Sequence, residues 1–160
     1  YDITFNGSLG VEGLSVKAGL KNVDKDPNGT TRTALTIADS KATQIGAAYT
    51  FGDIKVGYNR NDDETGSAAG TANTKDKQKV DEFGISFKVS DQLTLGASYA
   101  NVEVTAASVK KAQDEELTEV SLGYNLGPVA AVIQYTDVQN AGGNDGSDGE
   151  TIALRLSTAF

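Results

Sequence analysis

The sequence predicts an all-β fold, an antiparallel β-barrel that crosses a membrane. Three observations carry that prediction. Apolar side chains recur at every second position, the period of a strand. The segments that do so run about 9–12 residues, close to the 9–11 of a tilted membrane strand and longer than the 5–6 usual in soluble sheets. Short and long connections alternate without exception, and outer-membrane barrels have short periplasmic turns and longer extracellular loops.

Taken in order, roughly nine strands are predicted, at 1–9, 14–23, 41–51, 54–62, 79–89, 93–104, 115–126, 129–139 and 150–160. The first is the weakest. In the second, Leu14, Val16, Ala18 and Leu20 oppose Ser15, Lys17, Gly19 and Lys21. Ile45, Ala47, Tyr49 and Phe51 oppose Gln44, Gly46, Ala48 and Thr50. Phe83, Ile85, Phe87 and Val89 oppose Glu82, Gly84, Ser86 and Lys88. Val120, Leu122, Tyr124 and Leu126 oppose Glu119, Ser121, Gly123 and Asn125, and Ile152, Leu154, Leu156 and Phe160 share one face of the last strand. No segment has a convincing helical period. The stretch 106–116 is polar throughout and reads as a loop with room for one helical turn.

The links at 10–13, 52–53, 90–92 and 127–128 are short and hold Gly, Asp, Ser and Pro, residues that close tight turns. Those at 24–40, 63–78, 105–114 and 140–149 are long and polar. The result is a repeat of about 37 residues: strand, tight turn, strand, long loop. Greek-key sandwiches vary in link length at both ends and give no reason for such alternation.

Composition narrows the chemistry. The chain has 160 residues, 14 basic and 22 acidic, for a formal charge of -8. A nucleic-acid partner is excluded, because phosphate binding needs a basic stripe. With no Cys and no His, thiol nucleophiles, disulfides, imidazole or thiolate metal sites and His-dependent relays are absent. There is no P-loop or dinucleotide fingerprint, and an enzyme is not expected. The acidic stretches Asp24, Asp26, Asn28 and Asn144, Asp145, Asp148 invite a loop-bound Ca²⁺. Neither completes a 12-residue calcium loop with its closing Glu, so solvated Asx turns are the expectation, and no cofactor is assigned. The sequons at Asn6 and Asn28 fit a glycosylation pattern, but Asn6 falls in a strand. The chain begins at Tyr1 and contains no Met, which is expected of a processed product or a fragment.

The two faces differ. Charges on the apolar parity, such as Arg60, Asp81 and Asp137, fall near predicted strand ends, as a lipid-facing surface requires. The other parity accepts Lys17, Lys55, Glu82, Lys88, Glu119 and Arg155, and many glycines. These six are the candidate pore-lining residues, with solvated strand positions as the plainer alternative. Phe51, Phe87, Tyr124 and Phe160 lie near the short turns, whereas Tyr58, Tyr99 and Tyr135 lie five or more residues beyond one. Two bands of amphipathic rings at the ends of an apolar belt form the girdle of an outer-membrane barrel.

On these residues the chain resembles the general diffusion porins of Gram-negative bacteria, most closely the alphaproteobacterial type. The hairpin Ala47-Ala48-Tyr49-Thr50-Phe51-Gly52-Asp53-Ile54-Lys55-Val56-Gly57-Tyr58 and the turn Gly123-Tyr124-Asn125-Leu126-Gly127-Pro128 are of that style. The ending, with Leu154, Leu156 and Phe160, resembles the signal read by the outer-membrane assembly machinery. The resemblance implies a 16-stranded homotrimeric barrel, contact with outer-membrane lipid and lipopolysaccharide, and passive diffusion of small hydrophilic solutes and ions. The first and last strands should run in the same direction, so nine strands starting outside cannot close as an even-numbered barrel. Residues 1–160 are therefore expected to be a single β-barrel domain from the C-terminal part of a porin, strands 8–16 of 16, without the third loop that the resemblance implies folds inward to narrow the pore. The alternatives are a complete eight-stranded barrel, if 1–9 is no strand, an anchoring or adhesion barrel with a closed lumen, and a secreted soluble β-protein.

Overall fold

The computed structural model describes residues 2–23, 40–66, 75–106, 109–111 and 113–158. They build one antiparallel sheet from β1 (Asp2–Gly7), β2 (Leu14–Val23), β3 (Ser40–Phe51), β4 (Ile54–Gly66), β5 (Lys75–Lys88), β6 (Leu93–Ala106), β8 (Glu115–Asn125), β9 (Val129–Gln139) and β10 (Gly149–Thr158). A two-residue strand, β7 (Val109–Lys110), pairs with the outer end of β6. Every strand of the main path pairs with its neighbour in sequence. β1 exists, so the path has nine members, and its outer strands run in the same direction. Among the described residues β1 pairs only with β2, and β10 only with β9.

The short turns rest on local chemistry. Gly13 has φ of +78°, and a Cβ there would run into the Thr50 carbonyl oxygen, so only glycine fits. The Ser90 hydroxyl accepts from the backbone N–H groups of Gln92 and Leu93, at 3.2 and 3.1 Å. Asn125 Oδ1 accepts from the Gly127 N–H at 3.0 Å, with Gly127 at φ +83°.

The ladders are staggered. One row of directly opposed residues runs Asn6, Lys17, Gly46, Asn59, Glu82, Ala100, Leu117, Val138, Gly149. Its distance from the short turns grows along the chain. Lys17 is one residue past the last β1–β2 pair, Gly7–Val16, and Gly46 is five before the last β3–β4 pair, Phe51–Ile54. Ala100 is six past Lys88–Thr94, and Val138 is eight past Asn125–Ala130. A row that climbs this way means strands inclined to the axis of a curved wall, the stagger of a barrel.

The apolar parity points away from protein. Ile152 is 77% exposed and Leu154 65%, and Val102 is the single buried large aliphatic among the described residues. The convex face therefore has no protein cover here, and a soluble domain would not leave such a surface bare.

Two expectations are corrected. β4 and β5 run to Gly66 and from Lys75, well into what reads as loop at 63–78. Arg60 and Asp81 are thus inside paired strands, and charge pairs bridge the extension: Lys77 Nζ lies 3.0 Å from Glu64, and Arg60 3.8 Å from Asp81. The segment 106–116 continues the β6 ladder through β7 in its described part, and the 3₁₀ turn lies at Ala141–Gly143 instead.

Candidate functional site

The concave face holds a recess of about 520 Å³ spanning β1 to β6. Its floor is made by small residues: Gly57 faces Gly84 directly, and Gly46 faces both Lys17 and Asn59. Lys17, Lys55 and Glu82 stand around that floor with Asn6 and Asn59. A Cβ on Gly46 would meet Lys17 Cε at 2.9 Å and Asn59 Oδ1 at 3.0 Å, so the lysine stem lies across the glycine toward the amide. Asn59 Oδ1 also accepts from Gln44 Nε2 at 3.3 Å. Cation, amide and carboxylate thus share one row across β2 to β5, with Gly46 of β3 between Lys17 and Asn59 and with Asn59 opposite Glu82. The strand period puts them on one face, and the glycines between them leave room for water.

The other three charged candidates lie outside the recess. Lys88 bends to the turn, where its ammonium donates to Asp91 at 2.7 Å. That contact holds the Asp91 carboxyl below the usual aspartate range. Glu119 accepts from Gln134 Nε2 at 2.6 Å on the far side of the sheet, and Gln134 also reaches Thr136 Oγ1 at 3.3 Å. Arg155 is opposite Val132 near the β10 edge and is exposed. The amides Gln44, Asn59 and Gln134 were missed because attention to charge passes over neutral polar groups. Their position on the wet parity was the available signal.

On the convex face the aromatic residues form rows. Tyr58, Phe83 and Tyr99 are consecutive partners across β4, β5 and β6. Tyr135 faces Val120 and Ile152. Nearer the turns, Tyr49 and Phe51 stack at 5.9 Å, with Phe87 opposite Ile54 and Tyr124 opposite Leu93. All are exposed. Immediately beyond the Tyr58 row the same face turns ionic: the Tyr58 hydroxyl donates to Asp81, and Arg60 lies 3.0 Å from Asp62 and 3.8 Å from Asp81. Leu154 and Leu156 are exposed on this face, and Phe160 lies outside the described residues, as do Asp24, Asp26 and Asn28. Asp148 accepts from the Asn140 N–H at 3.0 Å, and Asn144 Oδ1 from Lys111 at 3.5 Å, so both serve loop contacts.

An apolar, aromatic-banded convex face on a staggered antiparallel sheet, with a polar concave face, defines an outer-membrane β-barrel protein. A structure of OmpT (in-vitro folded), an outer membrane protein of Vibrio cholerae, matches with a TM-score of 0.64 at 19% identity, over 99% of this chain and 50% of that one. The chain spans about half the length of the structure it matches. No curated protein sequence matches. The family model for the Gram-negative porin matches residues 3–157, and the chain belongs to that family. Its place is the bacterial outer membrane, and proteins of this family and fold are generally not enzymes.

Proposed function

We propose that the chain forms part of the wall of a water-filled channel through which small hydrophilic solutes and ions cross the outer membrane passively. The observation that carries this reading is the concave recess, where Lys17, Lys55 and Glu82 surround a floor of glycines. A plugged anchor would fill that face with bulky side chains. Side chains on such a wall set charge and size preference. Lys17 and Lys55 attract anions and Glu82 opposes them; Glu119 and Arg155 contribute elsewhere on the same parity, and Lys88, on that parity too, is offset by Asp91 at the turn. No catalytic role and no cofactor are assigned.

The barrel is of the 16-stranded, trimeric alphaproteobacterial type in this reading, and residues 1–160 supply nine of its strands. The nine-strand path supports it, because parallel outer strands need an odd number of further strands between them, and seven make sixteen. The greater length of the matching structure agrees. Phe51, Tyr58, Phe87, Tyr99, Tyr124, Tyr135 and Phe160 would anchor the belt at its two interfaces with lipid and lipopolysaccharide. Leu154, Leu156 and Phe160 would be read by the assembly machinery.

Reconstitution of the full-length polypeptide in planar bilayers tests the channel. Discrete, ohmic conductance steps are expected, and the double variant Lys17→Glu, Lys55→Glu should move the reversal potential toward cation preference. A folded, inserted protein that gives no steps defeats the reading.

A further inference from the structure

The outer end of the sheet shows a reversal that a simple water-filled tube does not explain. On the concave face, beyond Glu82 and Ala100, aliphatic residues enter among the polar ones: Val80 faces Val102, between Asn61 and Glu115 in the same row, and Leu117 faces both Ala100 and Val138. Val102 is only 6% exposed. Branched aliphatics facing a lumen would contact water, and a covering loop removes that cost.

The cover is at hand. Residues 140–148 leave from β9 and return to β10, yet the turn Ala141–Gly143 lies close to β6 and β8. Two contacts fix the side on which it lies. Glu115 opposes Val102 and so points to the concave face, and its carboxylate accepts from the Gly142 N–H. Lys111 donates its N–H to the Val104 carbonyl at 2.9 Å, which continues the β6–β7 ladder and puts its side chain on the concave side too. A Cβ on Gly143 would come within 2.6 Å of Lys111 Cβ and 2.8 Å of the Gln113 carbonyl, and Gly143 is buried with φ of +73°. Asn140 Nδ2 donates to the Asp114 carbonyl at 3.4 Å. The loop is also braced internally, with the Ala141 N–H donating to the Ser147 carbonyl at 2.7 Å.

We propose that residues 140–148 form an inward-folded rim at the outer mouth, latched to the wall by Glu115 and Lys111, and that this rim limits the size of hydrophilic solute admitted. The inference rests on the channel reading and adds to it a size-determining element. Two variants of the full-length polypeptide separate the possibilities. One replaces 140–148 by an Asn-Gly turn, which removes the rim. The other is Gly143→Leu, which keeps the loop but wedges it off Lys111. In liposome swelling, both should raise uptake of large oligosaccharides several-fold while changing uptake of a monosaccharide little. Heat-modifiable migration on gels verifies folding, and slow hydrogen exchange at the Gly142 N–H, lost in Glu115→Ala, verifies the latch. An unchanged ratio of large to small sugar uptake in both folded variants overturns the rim, as does a freely exchanging Gly142 in the unaltered protein. An unaltered protein that opens no channel at all overturns the channel reading instead, and the size limit with it.

Discussion

Two neighbouring substitutions on β5 separate a lipid-contacting wall from a soluble sheet. Ile85 lies on the convex face between Val56 and Ala97, two residues from Phe83 and two from Phe87, and is 43% exposed to whatever surrounds the protein. Gly84 lies on the concave face, where a new Cβ would rest 3.8 Å from the Ala97 carbonyl oxygen and from Ser98 Cβ, in ordinary contact. A lysine at a bilayer midplane costs about 2–4 kcal/mol, which lowers the folding equilibrium about thirty- to a thousandfold. A lysine at Gly84 reaches water in the recess and should change stability by no more than about 0.5 kcal/mol. Folding of the full-length polypeptide into phosphatidylcholine vesicles, titrated with guanidinium and followed by circular dichroism, measures both. Ile85→Lys should lose most of the folded population near the midpoint, and Gly84→Lys should leave the curve in place. If water contacted Ile85, its replacement by lysine would be neutral or favourable. An Ile85→Lys variant as stable as Gly84→Lys, or more so, refutes the lipid-facing assignment.

Three further outcomes follow from particular contacts. Gly13→Ala should destabilise the β1–β2 hairpin by about 1–2 kcal/mol from the left-handed backbone alone, with the clash against the Thr50 carbonyl adding to it, as read from the same titration. Glu82→Lys should move the reversal potential toward anions, whereas Lys88→Gln should leave it nearly unchanged, because Lys88 is tied to Asp91 at the turn. The Asp91 carboxyl is depressed by the Lys88 ammonium, so its stabilising contribution is present above the unfolded-state pKa and lost as pH falls through the lower folded value. An NMR titration should find its midpoint below the ordinary aspartate range, and Lys88→Gln should return it there.

The two faces were legible in the sequence because a strand sorts side chains by parity whatever the tertiary structure. Val16 and Lys17, or Leu154 and Arg155, need only alternate to be assigned. The ends of β4 and β5 were not legible. Asp62, Asp63 and Glu64 look like loop until Lys77 and Lys79 are brought opposite, and that pairing depends on a register no local pattern specifies. The recess was half legible. Parity grouped Lys17, Lys55 and Lys88 together, but only the turn geometry separates Lys88, and only the stagger brings Lys17 alongside Asn59 and Glu82.

The reversal beyond the Tyr58, Phe83 and Tyr99 row concerns both faces at one level, and that coincidence constrains the mouth. Outside, Arg60, Asp62 and Asp81 replace apolar residues, as they must where hydrocarbon gives way to head groups and water. Inside, Val80, Val102 and Leu117 interrupt the charges and glycines, which water alone would not favour, and Glu115 beside Val102 is turned to the loop. The strands continue past the bilayer, and above it their stable side is the one a loop can cover. Val102→Asp tests this in one residue. In an open mouth the carboxylate would be hydrated and harmless. Beneath the rim it must be hydrated by displacing the loop, since an unpaired buried charge costs several kcal/mol. Faster exchange at the Gly142 N–H and greater passage of large sugars are therefore expected, with the barrel still folded. A variant that keeps both at their original values would show that the loop is not what covers Val102.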